Sequence, residues 1–150
     1  MIVSGPSGLS CQIEQVTNAA AVVDFIVPIL ETVRAFRGGP GLIAELCDGH
    51  SEAEAIDRAV MNGELWSIAA NDGLVGLLVI RRGVLLGIHL VAALRRNGIA
   101  RATVTALRDA GVVITDARAL PGDRATKSLF ESMGWKARLL TMAPTQQSAS

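Results

Sequence analysis

The chain has 150 residues, half of them apolar, with 14 basic and 14 acidic side chains and no formal net charge. This length favours one domain with a packed core, and the neutral balance argues against a protein that holds nucleic acid by neutralising phosphates. No apolar run reaches the roughly 18 residues of a transmembrane helix, and the first residues lack a secretory signal. We therefore expect no membrane partner and a cytoplasmic location in a bacterial or phage-infected cell.

The N-terminal stretch and the cysteines set the expected domain limits and redox state. Residues 1–10 are small and polar and predict a flexible arm, residues 11–142 a single domain, and residues 143–150 a polar tail. Cys11 and Cys47 have no metal-ligand spacing, so we expect reduced cysteines and no bound metal.

Helical patterns dominate the first half of the predicted domain. After a first strand in "CQIEQVT", apolar residues recur at helical spacing from an N-cap at Thr17 or Asn18. Pro28 should kink that helix or break it near residue 27. A short helical turn follows "RGGPG" through "LIAELCDG", and the capping box "SEAE" at Ser51 predicts a helix to about Met61.

Three apolar runs then predict an antiparallel meander. They read "LWSIAA", "LVGLLVI" and "VLLGIHLV", and they are separated by the turn signals Asn71-Asp72-Gly73 and Arg81-Arg82-Gly83. The arginine pair reads as a solvated hairpin tip.

The last third alternates between helix and strand. A loop at 95–101 precedes a helix through Ala110 that stops at Gly111, and "VVITDARAL" predicts a strand. Asp123 could cap the helix "RATKSLFESM", which Gly134 ends before a final strand "WKARLLTM". The element order predicts an α+β fold: a mixed, mostly antiparallel sheet of about six to seven strands, flanked by about four helices.

The loop Arg95-Arg96-Asn97-Gly98-Ile99-Ala100-Arg101 carries the main chemical signal. The first N–H groups of a helix lack backbone partners and carry partial positive charge, so a helix that opens here presents an anion site. Gly98 would let the backbone approach a ligand, and the arginines could add charge-assisted bonds to a diphosphate. The alternative is an ordinary soluble turn between strand and helix.

At these residues the chain resembles the GNAT superfamily of acyl-CoA-dependent N-acyltransferases, whose pyrophosphate loop reads Arg/Gln-x-x-Gly-x-Gly/Ala. "IHLVAAL" before the loop and "DRATKSLFESMGW" after it are similar to the family's fourth strand and its later helix-and-strand segment. The resemblance covers residues 65–142 well and residues 11–63 by element order only. It implies the GNAT fold and a sheet splayed beside the fourth strand, where acetyl-CoA or another acyl-CoA enters.

The resemblance also implies which residues hold the acyl-CoA. Backbone of the fourth strand would pair with the pantetheine arm, loop amides would meet the pyrophosphate, and a residue before the last helix would touch the cofactor arm. The implied contacts are Ile88, Leu90, Val91, Arg95, Arg96, Asn97, Gly98, Ile99, Ala100, Arg101, Asp123 and Phe130.

Catalytic groups match the family less well. The tyrosine that protonates the departing thiolate is replaced by Phe130, and the chain contains no tyrosine. The fourth strand has no carboxylate, which leaves His89 as the candidate general base because an imidazole titrates near neutrality. The alternative for His89 is a hydrogen-bonded strand histidine.

Two functions of different class follow. The first is an N-acetyltransferase that transfers an acetyl group from acetyl-CoA to an unidentified small-molecule or protein amine by direct attack. The second is a catalytically weak or silent GNAT-fold component of a homo-oligomer or larger assembly, such as a phage particle, which would place it in the virion. A toxin that acylates charged tRNA is disfavoured by the neutral charge, and we expect no nucleic-acid partner.

Overall fold

One six-stranded sheet organises the computed structural model, which describes residues 1–71, 73–142 and 144. Neighbouring strands are neighbours in sequence; the pairs from β1 to β5 are antiparallel, and β5 and β6 are parallel. The strands are β1 Ile2–Ser4, β2 Ser10–Gln15, β3 Leu65–Ala70, β4 Gly73–Arg81, β5 Val84–Leu90 and β6 Asp116–Ala117.

Five α-helices lie within the described residues, one more than the four or so expected. They are α1 Val23–Ala35, α2 Gly39–Cys47, α3 Glu52–Met61, α4 Ile99–Asp109 and α5 Arg124–Ser132. Short 3-10 turns at Ala19–Ala21 and Ala92–Leu94 precede α1 and α4. The predicted α+β class with a mixed, mostly antiparallel sheet is confirmed.

The meander of β3, β4 and β5 lies where the apolar runs predict it. Arg82 and Gly83 both have positive φ, 50° and 81°, between the paired residues Arg81 and Val84. Two left-handed residues are what a two-residue hairpin turn requires, because that turn matches the strand twist. Asn71 is also left-handed, at φ 52°, whereas Asp72 of the other turn signal lies outside the described residues.

Both predicted caps form. The Ser51 hydroxyl accepts a hydrogen bond from the Glu54 N–H at 3.2 Å and starts α3. The Asp123 carboxylate accepts from the Thr126 N–H at 3.1 Å and starts α5. Each cap satisfies a helix N–H that has no backbone acceptor.

The prediction of a flexible arm over residues 1–10 is wrong. Residues 2–4 form β1, which pairs with β2, and Val3 is buried in the core. The small residues between the strands make the connecting turn, in which the Gly5 N–H donates to Leu9 O at 3.0 Å. An apolar residue that reaches the core explains why a stretch of arm-like composition is ordered.

Three further expectations need correction. Pro28 lies inside α1 without ending it. The strand predicted from "VVITDARAL" is reduced to the two residues of β6. The final strand predicted from "WKARLLTM" does not form: residues 135–142 pair with no strand in the described chain, and Leu139, Leu140 and Met142 are exposed. The polar tail lies outside the described residues except for Pro144.

The sheet separates two apolar clusters. The first lies under α4 and α5 and includes Ile13, Leu85 and Phe130; the second lies under α1, α2 and α3 and includes Ile26, Ile43 and Leu77. No helix in the described part of the chain is long and apolar enough to cross a membrane.

Candidate functional site

The outer edge of β5 is open over most of its length. β6 pairs with it only at Val84 and Leu85, and the Arg118 N–H makes a last bond to Leu85 O at 2.9 Å. Beyond that point, none of the described strands covers this side of β5. The sheet therefore has a gap at the place where the acyl-CoA was expected.

Hydrogen-bond parity shows which backbone groups face this gap. The Val91 N–H donates to Val75 O at 2.8 Å. In the antiparallel β4–β5 pair, Val91 and His89, which lie opposite residues 75 and 77, therefore direct their backbone groups toward β4. The alternate residues Ile88 and Leu90 then direct their N–H and C=O groups away from β4. The structure thus places these two predicted residues at the open edge.

The backbone groups of Val91, in contrast, already have hydrogen-bond partners within the chain. Its N–H is bonded to β4, and its C=O accepts from the Leu94 N–H at 2.9 Å. The strand ends there and the chain turns into the loop, and a contact between Val91 and an extended ligand stays a prediction.

The loop ends at an N-terminus of α4 that has no side-chain cap. Gly98 is the N-cap residue with φ 75°, and its C=O accepts from the Ala102 N–H at 2.9 Å. The amides at the start of a helix carry the positive end of its dipole. Arg95, Arg96 and Arg101 are all exposed around this end, so the loop presents positive charge to solvent.

Two residues of the loop have left-handed backbone. Arg96 has φ 65° and Gly98 φ 75°. A left-handed conformation costs an L-residue with a side chain roughly 1–2 kcal/mol, and Gly98 is spared this cost whereas Arg96 is not. The loop shape therefore places a strained arginine beside the helix terminus.

The N-terminal hairpin packs directly on this loop. A Cβ added to Gly98 would lie 2.6 Å from Pro6 Cδ, and one added to Gly5 would lie 2.4 Å from the Asn97 oxygen. Sequence reasoning assigned the missing side chain of Gly98 to ligand access, but Pro6 occupies that space. Pro6 was missed because a contact across 92 residues of sequence leaves no local pattern.

His89, Arg95 and Asp123 come together from three different elements. Burial lowers the pKa of His89 below its usual 6.5, while the Asp123 carboxylate raises it and the Arg95 guanidinium lowers it. The His89 imidazole, on β5, is therefore mostly neutral at pH 7 and can accept a proton. Arg95 Nε also donates to Leu90 O at 3.3 Å, which ties the loop to the open edge.

Asp123 and Phe130 have evident structural roles at α5. Both oxygens of Asp123 are used within the cap, since its second oxygen accepts from the Thr126 hydroxyl at 2.7 Å. Phe130 is only 6% exposed, and its ring centroid lies 4.9 Å from that of Trp135. Phe130 thus packs in the core, and its contact with a cofactor stays a prediction.

Several charged residues outside the gap are structural. Arg81 is not a solvated hairpin tip: its guanidinium bonds Glu64 at 3.1 Å and the Glu45 and Leu46 carbonyls at the end of α2 at 3.1 and 3.0 Å. His50 Nδ1 lies 3.4 Å from Glu54 on α3. Asp116 pairs with Arg138, and Arg118 pairs with Glu45 at 3.0 Å.

Within the described ranges, no three His, Cys, Asp or Glu side chains cluster as metal ligands would. Cys11 is buried and Cys47 partly buried, both are free thiols, and burial raises the pKa of each. Neither is therefore a reactive thiolate at neutral pH.

Comparison with known structures identifies the fold. An acetyltransferase of the GNAT family from Listeria monocytogenes 4b F2365 superposes with a TM-score of 0.68 at 12% identity, over 94% of each chain. The chain has the GNAT fold. The ribosomal-protein-alanine N-acetyltransferase of Brucella melitensis biovar Abortus 2308 gives a TM-score of 0.58 at 14% identity, over 91% of this chain and 97% of the other.

A third GNAT-fold neighbour was solved with a CoA ligand. AAC(6')-Iy, in complex with the bisubstrate analogue CoA-S-monomethyl-acetylneamine, gives a TM-score of 0.53 at 16% identity, over 91% of this chain and 98% of the other. At these identities the likeness establishes the fold alone. No protein-family model matches the sequence, and no curated protein has a significant sequence match.

Proposed function

We propose that this GNAT-fold chain is an acyl-CoA-dependent N-acyltransferase whose acyl donor lies in the gap beside β5. The observation that carries the proposal is the open edge of β5, at the backbone of Ile88 and the N–H of Leu90, next to the uncapped, arginine-rich N-terminus of α4. An extended amide chain and a diphosphate require, respectively, an unpaired strand edge and a cluster of positive donors.

The proposed reaction needs little from the protein besides positioning and one base. The amine nitrogen attacks the thioester carbonyl, a C–N bond forms, and the C–S bond breaks. His89 accepts the proton that the amine loses, and an N–H group at the edge of β5 stabilises the developing oxyanion. The thiolate takes its proton from water, since a thiol with a pKa near 8.5 leaves without a dedicated acid.

Acetyl-CoA binding measured by calorimetry tests the cofactor half of the proposal. Arg96→Gly removes a guanidinium at the loop and also relieves its left-handed strain, so the variant should fold well and bind about threefold to tenfold more weakly. Arg82→Gly is the matched control, because Arg82 is an exposed, left-handed arginine in the β4–β5 turn. Equal affinity in both variants would contradict the assignment of the loop.

Turnover tests the catalytic half. Thiol release from acetyl-CoA should depend on an added amine, in a panel that spans small amines and N-terminal peptides.

A second candidate, a GNAT-fold assembly component that binds acyl-CoA without chemistry, is favoured by one observation: the chain contains no tyrosine, and Phe130 is buried. Binding without amine-dependent release would select that candidate.

A further inference from the structure

A cavity of about 80 Å³ lies between the sheet and helices α1, α2 and α3. Apolar side chains from all three helices and from β3 and β4 form its walls. Three residues of β5, Leu86, Gly87 and His89, close it on the side of the proposed donor site, and His89 is the one titratable residue in the lining.

Several apolar side chains around the cavity keep part of their surface accessible. In the cluster under α4, Ile99, Val104 and Leu107 are 0% exposed. Around the cavity, Ile26 and Ile43 keep 8% and Ile56 keeps 9% of their surface accessible. The cavity is partly open at the surface, so an apolar group can enter it and bury these side chains.

The cavity borders β5, the strand that carries the proposed donor site. Ile88 and Leu90 at the open edge alternate along β5 with Gly87 and His89, which line the cavity. Gly87 contributes no side chain, and a Cβ there would lie 3.0 Å from His89 Nε2. The imidazole therefore lies directly against the strand backbone at Gly87, and both residues border the apolar space.

The lining chemistry selects an uncharged occupant. No carboxylate lines the cavity, and burial lowers the pKa of His89, so nothing there would compensate an ammonium group. A single water needs about 10–15 Å³ of volume measured in this way, so the cavity has room for more than one group of that size. A short hydrocarbon chain meets both conditions.

We infer that this cavity receives the distal carbons of the donor's acyl group, so that the chain uses acyl groups longer than acetyl in preference to acetyl. The inference rests on the proposed function, because the acyl carbonyl must lie at β5 for the chain to extend past Gly87 and His89. Two of the lining residues, Ala59 of α3 and Leu42 of α2, are suited to test this inference.

The test compares the affinities of CoA, acetyl-CoA, butyryl-CoA and hexanoyl-CoA by calorimetry. Affinity should rise from acetyl to hexanoyl by as much as about fourfold per methylene buried. In Ala59→Leu the added side chain fills the cavity, so the rise should vanish while acetyl-CoA binding stays. Ala53→Leu is the control, because Ala53 is exposed on the same helix, and it should retain the wild-type series.

Leu42→Ala keeps the inference testable if Ala59→Leu fails to fold. Leu42 lines the cavity but is only partly buried, so its truncation should enlarge the space at modest cost and shift the best chain to a longer one. Equal affinity for all acyl chains, with CoA itself bound, would overturn the inference and leave the proposed function standing. No binding of CoA or any thioester would overturn both.

Discussion

His89 has the environment of a base rather than of a permanent cation. Burial lowers its pKa, so protonation below pH 6.5 favours the unfolded chain, in which the imidazole is exposed. The stability that neutral His89 contributes is present above about pH 6.5, and it is lost as the pH falls from 6.5 toward the lower pKa of the folded state. The same residue should therefore control both activity and acid stability.

Replacing His89 with Gln separates these effects. We expect kcat to fall by about 10²–10⁴, the usual effect of losing general-base assistance, while the KM for acyl-CoA changes little. The free energy of unfolding of the variant should fall less than that of the wild type between pH 7 and pH 5, as measured by urea denaturation. A wild-type pH dependence of kcat in the variant would show that another group takes the proton.

Thr103 is a second residue whose environment predicts an effect on the free energy of unfolding. It is fully buried on α4, and its hydroxyl makes no hydrogen bond in the described structure. An unsatisfied buried hydroxyl costs about 1–3 kcal/mol, so Thr103→Val should raise the free energy of unfolding by about 1 kcal/mol and leave acyl-CoA affinity unchanged. Denaturant titration checks this, with exposed Thr32→Val on α1 as the control. A destabilised Thr103→Val variant would mean that the hydroxyl has a partner.

At the scale of elements, the loop before α4 depends on the N-terminal hairpin. Gly98→Ala places a methyl group against Pro6 and imposes a side chain at φ 75°, so it should lower the free energy of unfolding by more than 1 kcal/mol. Gly111→Ala provides the comparison, because Gly111 is left-handed at φ 93° but has open space around it. Chemical denaturation should show the larger loss at Gly98, and equal losses would mean that Pro6 yields freely.

Elements with local signals were predictable from the sequence, and those set by distant contacts were not. The meander follows from three apolar runs and a turn that tolerates positive φ at Arg82, and α3 and α5 follow from the caps at Ser51 and Asp123. β1 was missed because only Val3 distinguishes it from an arm. The final strand was wrong because residues 135–142 pair with no described strand, and an apolar run does not by itself determine which strand it pairs with.

The candidate site also combines features that the sequence indicated with features that only packing determines. The anion-binding character of the loop at 95–101 was indicated by its strand–loop–helix pattern, whereas Ile88 and Leu90 came from the GNAT resemblance; their contacts with a donor stay predictions. The hydrogen-bonded backbone of Val91, the Pro6 contact and the cavity beside His89 depend on packing across the sheet, which no local pattern records.

At the scale of the whole molecule, donor binding should stabilise the fold. A ligand that binds only the folded state adds about 2.7 kcal/mol at a hundredfold excess over its Kd, which for 150 residues raises Tm by roughly 5–10 °C. A thermal-shift titration with acetyl-CoA should show this rise, and the rise should shrink in Arg96→Gly but not in Arg82→Gly. A Tm independent of acetyl-CoA at millimolar concentration would argue against a donor site.

The most direct measurement is backbone amide hydrogen exchange with and without CoA. If the donor occupies the gap, the amides of Ile88 and Leu90 and those of Ile99, Ala100 and Arg101 should gain protection together, because one ligand covers the strand edge and the start of α4. Unchanged exchange at these five amides with CoA bound elsewhere would contradict the assignment of the gap as the donor site.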